Sequence, residues 1–509
     1  MLAGGAWSGA GLGARIWAAT RSPASRRRLR SYADGAARVR LHGSGVVGRR
    51  LMKAPPMVLR PFPKAAALIV AVVLALARVA SAHQGDGGNS VSLLRDTEIE
   101  ADIRTMMTPI WQVAGLDPDA VHVYLVDDDS INSFVAGGQN IFINSGLVLR
   151  AKSPNQLIGV LAHETGHIAG GHLYKGAEAM HDASIEEIIA LAAGAAATVA
   201  SRGSDDGAAL LGAAGVGERA FLQFSVTQEA TADHAAMNYL DATHQSARGL
   251  LQFLELMQTE ELLTGEREDP YLTDHPLTEE RIDYVRDHVA RSPYSNVPDP
   301  PSYIAMLQRI KVKLAAFTEP PSATLAKYPA HDHSVLARYA RAIALYRIPD
   351  LDKALPEIDG LIRDDPTDPY FRELKGQMLF ENGHVAQAVG PYQQALRLDP
   401  EAPLLRIELA EVYIENHDPA QNRLAIAYLS DALRTEDKDV EAWHLLATAY
   451  GRDNQIGMAA LSLAEEGLAA DNKKDAVGEA GRAEHLLPRS SAAYGRAQEI
   501  RSQAKDLDD

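Results

Sequence analysis

No cysteine occurs among the 509 residues. Disulfides, thiolate nucleophiles and cysteine-held zinc are thereby excluded, and any metal must be bound by His, Asp or Glu. Long apolar runs are missing too. Residues 65–77 (AAALIVAVVLALA) and 188–200 (IIALAAGAAATVA) are the candidates, and each has about 13 residues where a membrane-crossing helix needs roughly 20. Cations are scarce outside the N-terminus: the net charge is −17, residues 1–82 carry +13 with Asp34 as their one acid, and residues 83–509 therefore carry −30. Such a body cannot neutralise phosphates, so no nucleic-acid partner is expected. What is present, 46% hydrophobic and 23% charged residues, is globular composition that excludes collagenous and disordered classes.

The N-terminus reads as an address. The apolar run 65–77 follows Arg60 and Lys64 and precedes Ala80-Ser81-Ala82, which is the anatomy of a cleavable signal peptide. Residues 1–82 are thus expected to be a basic extension plus signal peptide, removed on export. The Arg-rich preface fits two readings: a true start at Met52 or Met57, or an organellar transit peptide.

From residue 157 the chain runs LIGVLAHETGHIAGGH, with apolar residues at helical spacing. His163 and His167 stand four apart, so one helix face presents both imidazoles to one ion, with Glu164 beside them to activate a water. This HExxH arrangement predicts a zinc hydrolase, against the bland alternative of two surface histidines. Gly166, Gly170 and Gly171 each weaken a helix by up to about 1 kcal/mol, which suggests that close packing favours them.

A catalytic zinc needs a third protein ligand and an open position. Glu229 in QEATADHAAMNYL can complete a His/His/Glu set, and Asp233, one helical turn on, can hold a ligand imidazole by its far nitrogen. Taken alone, the same pair is equally a solvated acidic face. In TDHPLTEERI (residues 273–282), His275 precedes a proline and falls in a loop or helix entry, with Thr278 as the cap of the next helix. That histidine can polarise a substrate carbonyl, occupy the metal's open position as a gate, or be an ordinary surface residue.

These segments, in this order, resemble the HtpX and CAAX-prenyl-protease type of zinc metallopeptidase, a gluzincin family with HExxH, ExxAD and HPxxxxRI motifs. The resemblance implies that His163, His167 and Glu229 bind one Zn2+ per chain, that Glu164 is the general base and that Asp233 orients a ligand. In BepA-like periplasmic members it further implies a removable fourth ligand at the His275 position. Arg281 looks like a structural or electrostatic support. Residues 131–148 resemble the family's edge strand and its approach, so Gly137, Gly138, Asn140, Ile141, Phe142 and Ile143 are expected to bind extended peptide; an ordinary hairpin turning at Gly137 and Gly138 fits the same residues. Residues 185–224 are read as a lid that can touch a membrane surface.

Beyond PDPPS (298–302) and EPPS (319–322) a period of 34 appears: Ala342, Gly376 and Ala410, then Ala354 with Ala388, and Pro366 with Pro400. WHLLATAY (443–450) has the spacing of a tetratricopeptide first helix. About four helical pairs are expected, starting near residues 335, 369, 403 and 440 and stacked into a solenoid whose concave face binds partners. The expected architecture is mainly α: a gluzincin-type peptidase domain with a small sheet (83–297), a Pro-rich linker (298–332) and a tetratricopeptide domain (333–509). The resemblance implies a periplasmic zinc endopeptidase acting on unfolded or misassembled protein, with the repeats docking on the outer-membrane protein assembly machinery. The alternative is a non-proteolytic scaffold or chaperone with a capped or vestigial metal site.

Overall fold

The computed structural model describes residues 93–172, 215–264 and 275–505. The export segment (1–82) and residues 185–214 of the expected lid lie outside them, and among the described residues no helix is long and apolar enough to cross a membrane.

Four short strands, β1 (Leu93–Leu94), β2 (His122–Val126), β3 (Ser133–Ala136) and β4 (Asn140–Asn144), form one sheet in the order β1-β2-β4-β3. β2 and β4 run parallel, while β1 and β3 are antiparallel to their neighbours. The β3–β4 hairpin turns at Gly137 and Gly138, where φ values of 58° and 99° demand residues without Cβ. Asn140, Ile141, Phe142 and Ile143 lie in β4, which is paired on both sides. This corrects the expectation that they offer an edge to substrate, because their backbone groups are committed to β2 and β3.

Among the described residues β1 and β3 are the two edges of the sheet, and β3 is the edge beside β4. The Asn144 amide donates to the Asn132 carbonyl at 3.0 Å. Antiparallel alternation then turns the amide and carbonyl of Phe134 toward β4 and those of Ser133 and Val135 outward.

Behind the sheet lie α1 (Thr97–Val113), the short α2 (Ser145–Arg150) and α3 (Pro154–Ala169). Ser153 caps α3 by accepting the Gln156 amide at 3.2 Å, and Pro154 occupies the first turn, where its missing N–H costs nothing. Leu157, Ile158, Val160 and Leu161 are buried, so α3 runs through the core rather than over it. α4 (Gly215–Ala242) and α5 (Arg248–Thr264) pack against it, and α6 (Glu279–Arg291) closes over α4 and α5.

Residues 298–332, expected to be a linker, are mostly helical. Their prolines sit at helix starts: Pro301 opens α7 (Pro301–Thr318) and Pro321 opens α8 (Pro321–Lys327). Proline is favoured there for the same reason that it reads as a breaker elsewhere. Leu307, Ile310, Leu314 and Phe317 of α7 share one apolar core with Met106 and Leu161 on one side and Tyr339, Phe371 and Met378 on the other.

The repeats form five pairs: α9 (Val335–Arg347) with α10 (Leu351–Asp364), α11 (Pro369–Glu381) with α12 (Val385–Leu398), α13 (Pro403–Glu415) with α14 (Pro419–Ala432), α15 (Val440–Arg452) with α16 (Ile456–Ala469), and α17 (Lys473–Leu486) with α18 (Ala492–Gln503). The first four start at the expected positions. The fifth escaped the sequence because its two helices bury little besides alanine and Ile500. The small residues at period 34 mark where helices meet closely; a Cβ on Gly376 would fall 2.5 Å from the Tyr392 ring.

A layer of buried charge joins the repeats to α1 and α7. Lys313 reaches Asp96 at 2.8 Å and Glu98 at 3.1 Å, and Tyr339 donates to Glu98 at 2.6 Å. Arg309 pairs with Glu98 and Asp368, and Arg95 pairs with Glu436 at 2.7 Å.

Candidate metal centre

The two imidazoles of α3 point the same way from successive turns. His163 Nε2 and His167 Nε2 are 3.1 Å apart, and each lies 3.2 Å from a different oxygen of Glu229 on α4. His163, His167, Glu229 and His275 each offer a ligand atom within 4.8 Å of the others, the one such grouping among the described residues. All four are buried. The acidic face of α4 therefore looks inward: Glu229 is 2% exposed and Asp233 0%.

Close helix packing brings the ligands together. A Cβ on Gly166 would stand 2.8 Å from the Ala232 carbonyl oxygen, so glycine there allows α3 and α4 to meet backbone to backbone, one turn from both His163 and Glu229.

Asp233 Oδ1 lies 2.9 Å from His163 Nδ1 and receives the far side of that ring. Arg281, in the first turn of α6, donates to both Asp233 oxygens at 2.7 and 3.0 Å and to the Pro276 carbonyl at 2.9 Å, and reaches Glu229 at 2.9 Å. One guanidinium thus fixes a candidate ligand, the carboxylate behind another and the loop bearing His275. His275 Nδ1 lies 3.2 Å from Glu229, and its Nε2 lies 3.2 Å from the Ser133 carbonyl and 3.5 Å from Glu164. That carbonyl is one of the outward groups of the β3 edge.

Glu164 has one oxygen engaged and one spare. Ser133 Oγ donates to Oε1 at 3.0 Å, while Oε2 is buried without a partner among the described residues. A buried carboxylate oxygen left bare calls for a hydrogen-bond donor that the described residues do not supply, and a water meets that need. Burial raises the Glu164 carboxyl above its usual range, with His275 and His163 opposing.

The remaining charges show how strongly the groups are coupled. Burial disfavours the His163 cation, but hydrogen bonds to Asp233 and Glu229 outweigh it and raise the ring to about 10. Burial holds His167 down at about 3 against the pull of Glu229. Glu229 stays well below the carboxylate range although burial opposes it, because His275, His163 and His167 surround it, and Arg281 brings Asp233 to about 2 against the same opposition. A cation among the rings would take over the task of balancing Glu229. Two imidazoles, a third nearby and a carboxylate without sulfur form a donor set suited to zinc and its divalent neighbours.

Two participants escaped the sequence reading. Ser133 carried no signal in a run taken for a strand. His172, whose Nδ1 lies 3.0 Å from His167 Nδ1, is the last residue of LIGVLAHETGHIAGGH, where a third histidine five positions beyond His167 was the available clue.

Residues 94–289 match Peptidase family M48, and residues 339–403 and 379–449 match tetratricopeptide repeats. The chain is 24% identical over 386 residues to the beta-barrel assembly-enhancing protease of Yersinia pestis, covering 74% of this chain and 78% of that protein. It is 23% identical over 409 residues to the protein of the same name from Escherichia coli (strain K12), covering 79% and 80%. Metalloprotease LoiP of Escherichia coli (strain K12) is 31% identical over 197 residues, which span 38% of this chain and 72% of LoiP.

Proposed function

Because the chain belongs to peptidase family M48, whose members are metal-dependent peptidases, we propose that it is a zinc endopeptidase in which His163, His167 and Glu229 hold the ion and Glu164 is the general base. The observation that carries this reading is the meeting of those three side chains, 3.1 to 3.2 Å apart, beside a buried Glu164 oxygen with no partner among the described residues. When bound, the ion would acidify a water and polarise the scissile carbonyl.

The chain's own residues supply the rest. Glu164 takes a proton from the attacking water through Oε2 and passes it to the leaving amine, and Ser133 holds its other oxygen. Asp233 keeps the His163 proton on Nδ1, so that Nε2 is free to bind. Extended substrate pairs with the outward amide and carbonyl groups of Ser133 and Val135, a sequence-tolerant contact suited to unfolded protein.

His275 serves as a removable cap, since it spans Glu229, Glu164 and the Ser133 carbonyl and so covers both the base and the edge that substrate needs. The reading extends to an exported protein acting in outer-membrane protein assembly, with the repeats contacting that machinery. The names of the beta-barrel assembly-enhancing relatives and the signal-like run at 65–77 support it. Peripheral membrane contact through residues 185–224 belongs to the same reading.

Cleavage of casein by wild type, Glu164→Gln and His275→Ala tests the assignment. Glu164→Gln is expected to lose cleavage by at least about 100-fold while keeping its metal, and His275→Ala to cleave faster than wild type. Chelator-sensitive cleavage that survives in Glu164→Gln contradicts the role of Glu164. Absence of cleavage in all three favours a scaffold.

A further inference from the structure

The HExxH helix ends in a left-handed glycine cap that also returns a third histidine to the site. Gly170 caps it, and Gly171 follows with φ of 63°, a left-handed conformation that folds the chain back on the last turn. The His172 amide donates to the His167 carbonyl at 3.2 Å, and Gln228, the neighbour of Glu229 on α4, donates through Nε2 to the His172 carbonyl at 3.2 Å. The reversal returns the His172 ring to His167, with Nδ1 facing Nδ1 at 3.0 Å and ring centres 5.0 Å apart, edge to face. Gly170 leaves room for that ring, since a Cβ there would stand 2.6 Å from His172 Nε2.

We infer that His172 is a positioning residue for His167: it accepts the His167 Nδ1–H and so keeps the proton off the Nε2 that faces Glu229 and His163. This rests on the metal-site reading above. Two facing ring nitrogens form a hydrogen bond only if one carries the proton, and for His167 to bind through Nε2 its proton must be on Nδ1. His172 is then the neutral ring with its own proton on Nε2. The two histidines of α3 are thereby held by different partners, His163 by the Asp233 carboxylate and His167 by a neutral imidazole. Partners of this kind typically change metal affinity by about 10–100-fold when removed.

The test uses the full-length chain, with zinc chloride titrated against a chelating dye and 15N spectra of the histidine rings recorded without metal. His172→Leu keeps the bulk and loses the acceptor, His172→Asn supplies an amide oxygen in its place, and Gly170→Ala displaces the ring without changing its chemistry. Zinc binding is expected to weaken about 10–100-fold in His172→Leu and Gly170→Ala and to recover in His172→Asn. In metal-free protein His167 is expected as the Nδ1–H tautomer in wild type and as a mixture in His172→Leu. Wild-type affinity in His172→Leu with an unchanged tautomer would overturn the proposal. A wild type that binds no zinc would instead overturn the metal site itself, and the tautomer spectra, which need no metal, keep the two failures distinguishable.

Discussion

At the scale of single residues, the centre depends on side chains that serve two partners at once. Arg281 is the clearest case, since its fork grips both Asp233 oxygens while also reaching Glu229 and the Pro276 carbonyl. A lysine keeps the charge but not the fork. Arg281→Lys is therefore expected to lower zinc affinity and kcat/KM by about 10–100-fold with the fold intact, as read by metal competition and circular dichroism. The sequence made His163, Glu164 and His167 legible through spacing alone, because a helix converts a separation of four into one face. It left the role of Arg281 undecided and was silent on Ser133, whose contact with Glu164 spans 31 residues of sequence; no local pattern encodes such a meeting.

Among elements, α3 and α4 matter most because their separation sets the distance between the imidazoles and Glu229. Gly166 permits the approach, with the Ala232 backbone 2.8 Å from the place a Cβ would take. Gly166→Ala improves helix propensity by up to about 1 kcal/mol, but it must force two backbones apart, a strain of about 1–3 kcal/mol. Net destabilisation in urea titration and weaker zinc binding are expected together; a more stable variant would show that the crossing is not tight. The glycines were visible in the sequence and their purpose was not, because packing partners lie on another helix. Proline misled in the opposite direction: Pro301 and Pro321 start helices, and residues 298–332 read as a linker only while those starts could not be told from breaks. The resemblance over residues 131–148 took in both strands of the hairpin, but the residues singled out for peptide fell on the turn and on β4, since a resemblance in sequence does not say which member of a hairpin is paired on both sides.

Over the whole molecule, the peptidase and repeat parts share one core and a buried charge layer, so Tyr339, Phe371 and Met378 of the early repeats are engaged by the chain itself. The 34-residue period gave the repeat starts but contained nothing about this union. Carboxylates outnumber cations in the layer, and Glu373 shows the consequence: burial, opposed by Lys313, raises its carboxyl from 4.5 to about 8. The folded chain holds a proton there that the unfolded chain releases above its ordinary pKa. Stability from this group is thus present below pH 4.5 and lost as pH rises toward 8. Glu373→Gln removes the loss, and its Tm relative to wild type is expected to rise by a few degrees, about 2–4 °C or more, between pH 5 and pH 9. A difference that does not change with pH would contradict the buried protonated carboxyl.

The convergence of His163, His167 and Glu229 on one divalent ion is tested most directly by elemental analysis of the purified full-length chain beside its Glu229→Ala variant after gel filtration. The account predicts one zinc per chain in wild type and loss of most of it in the variant. A metal-free wild type, or a variant that retains the wild-type content, would contradict it.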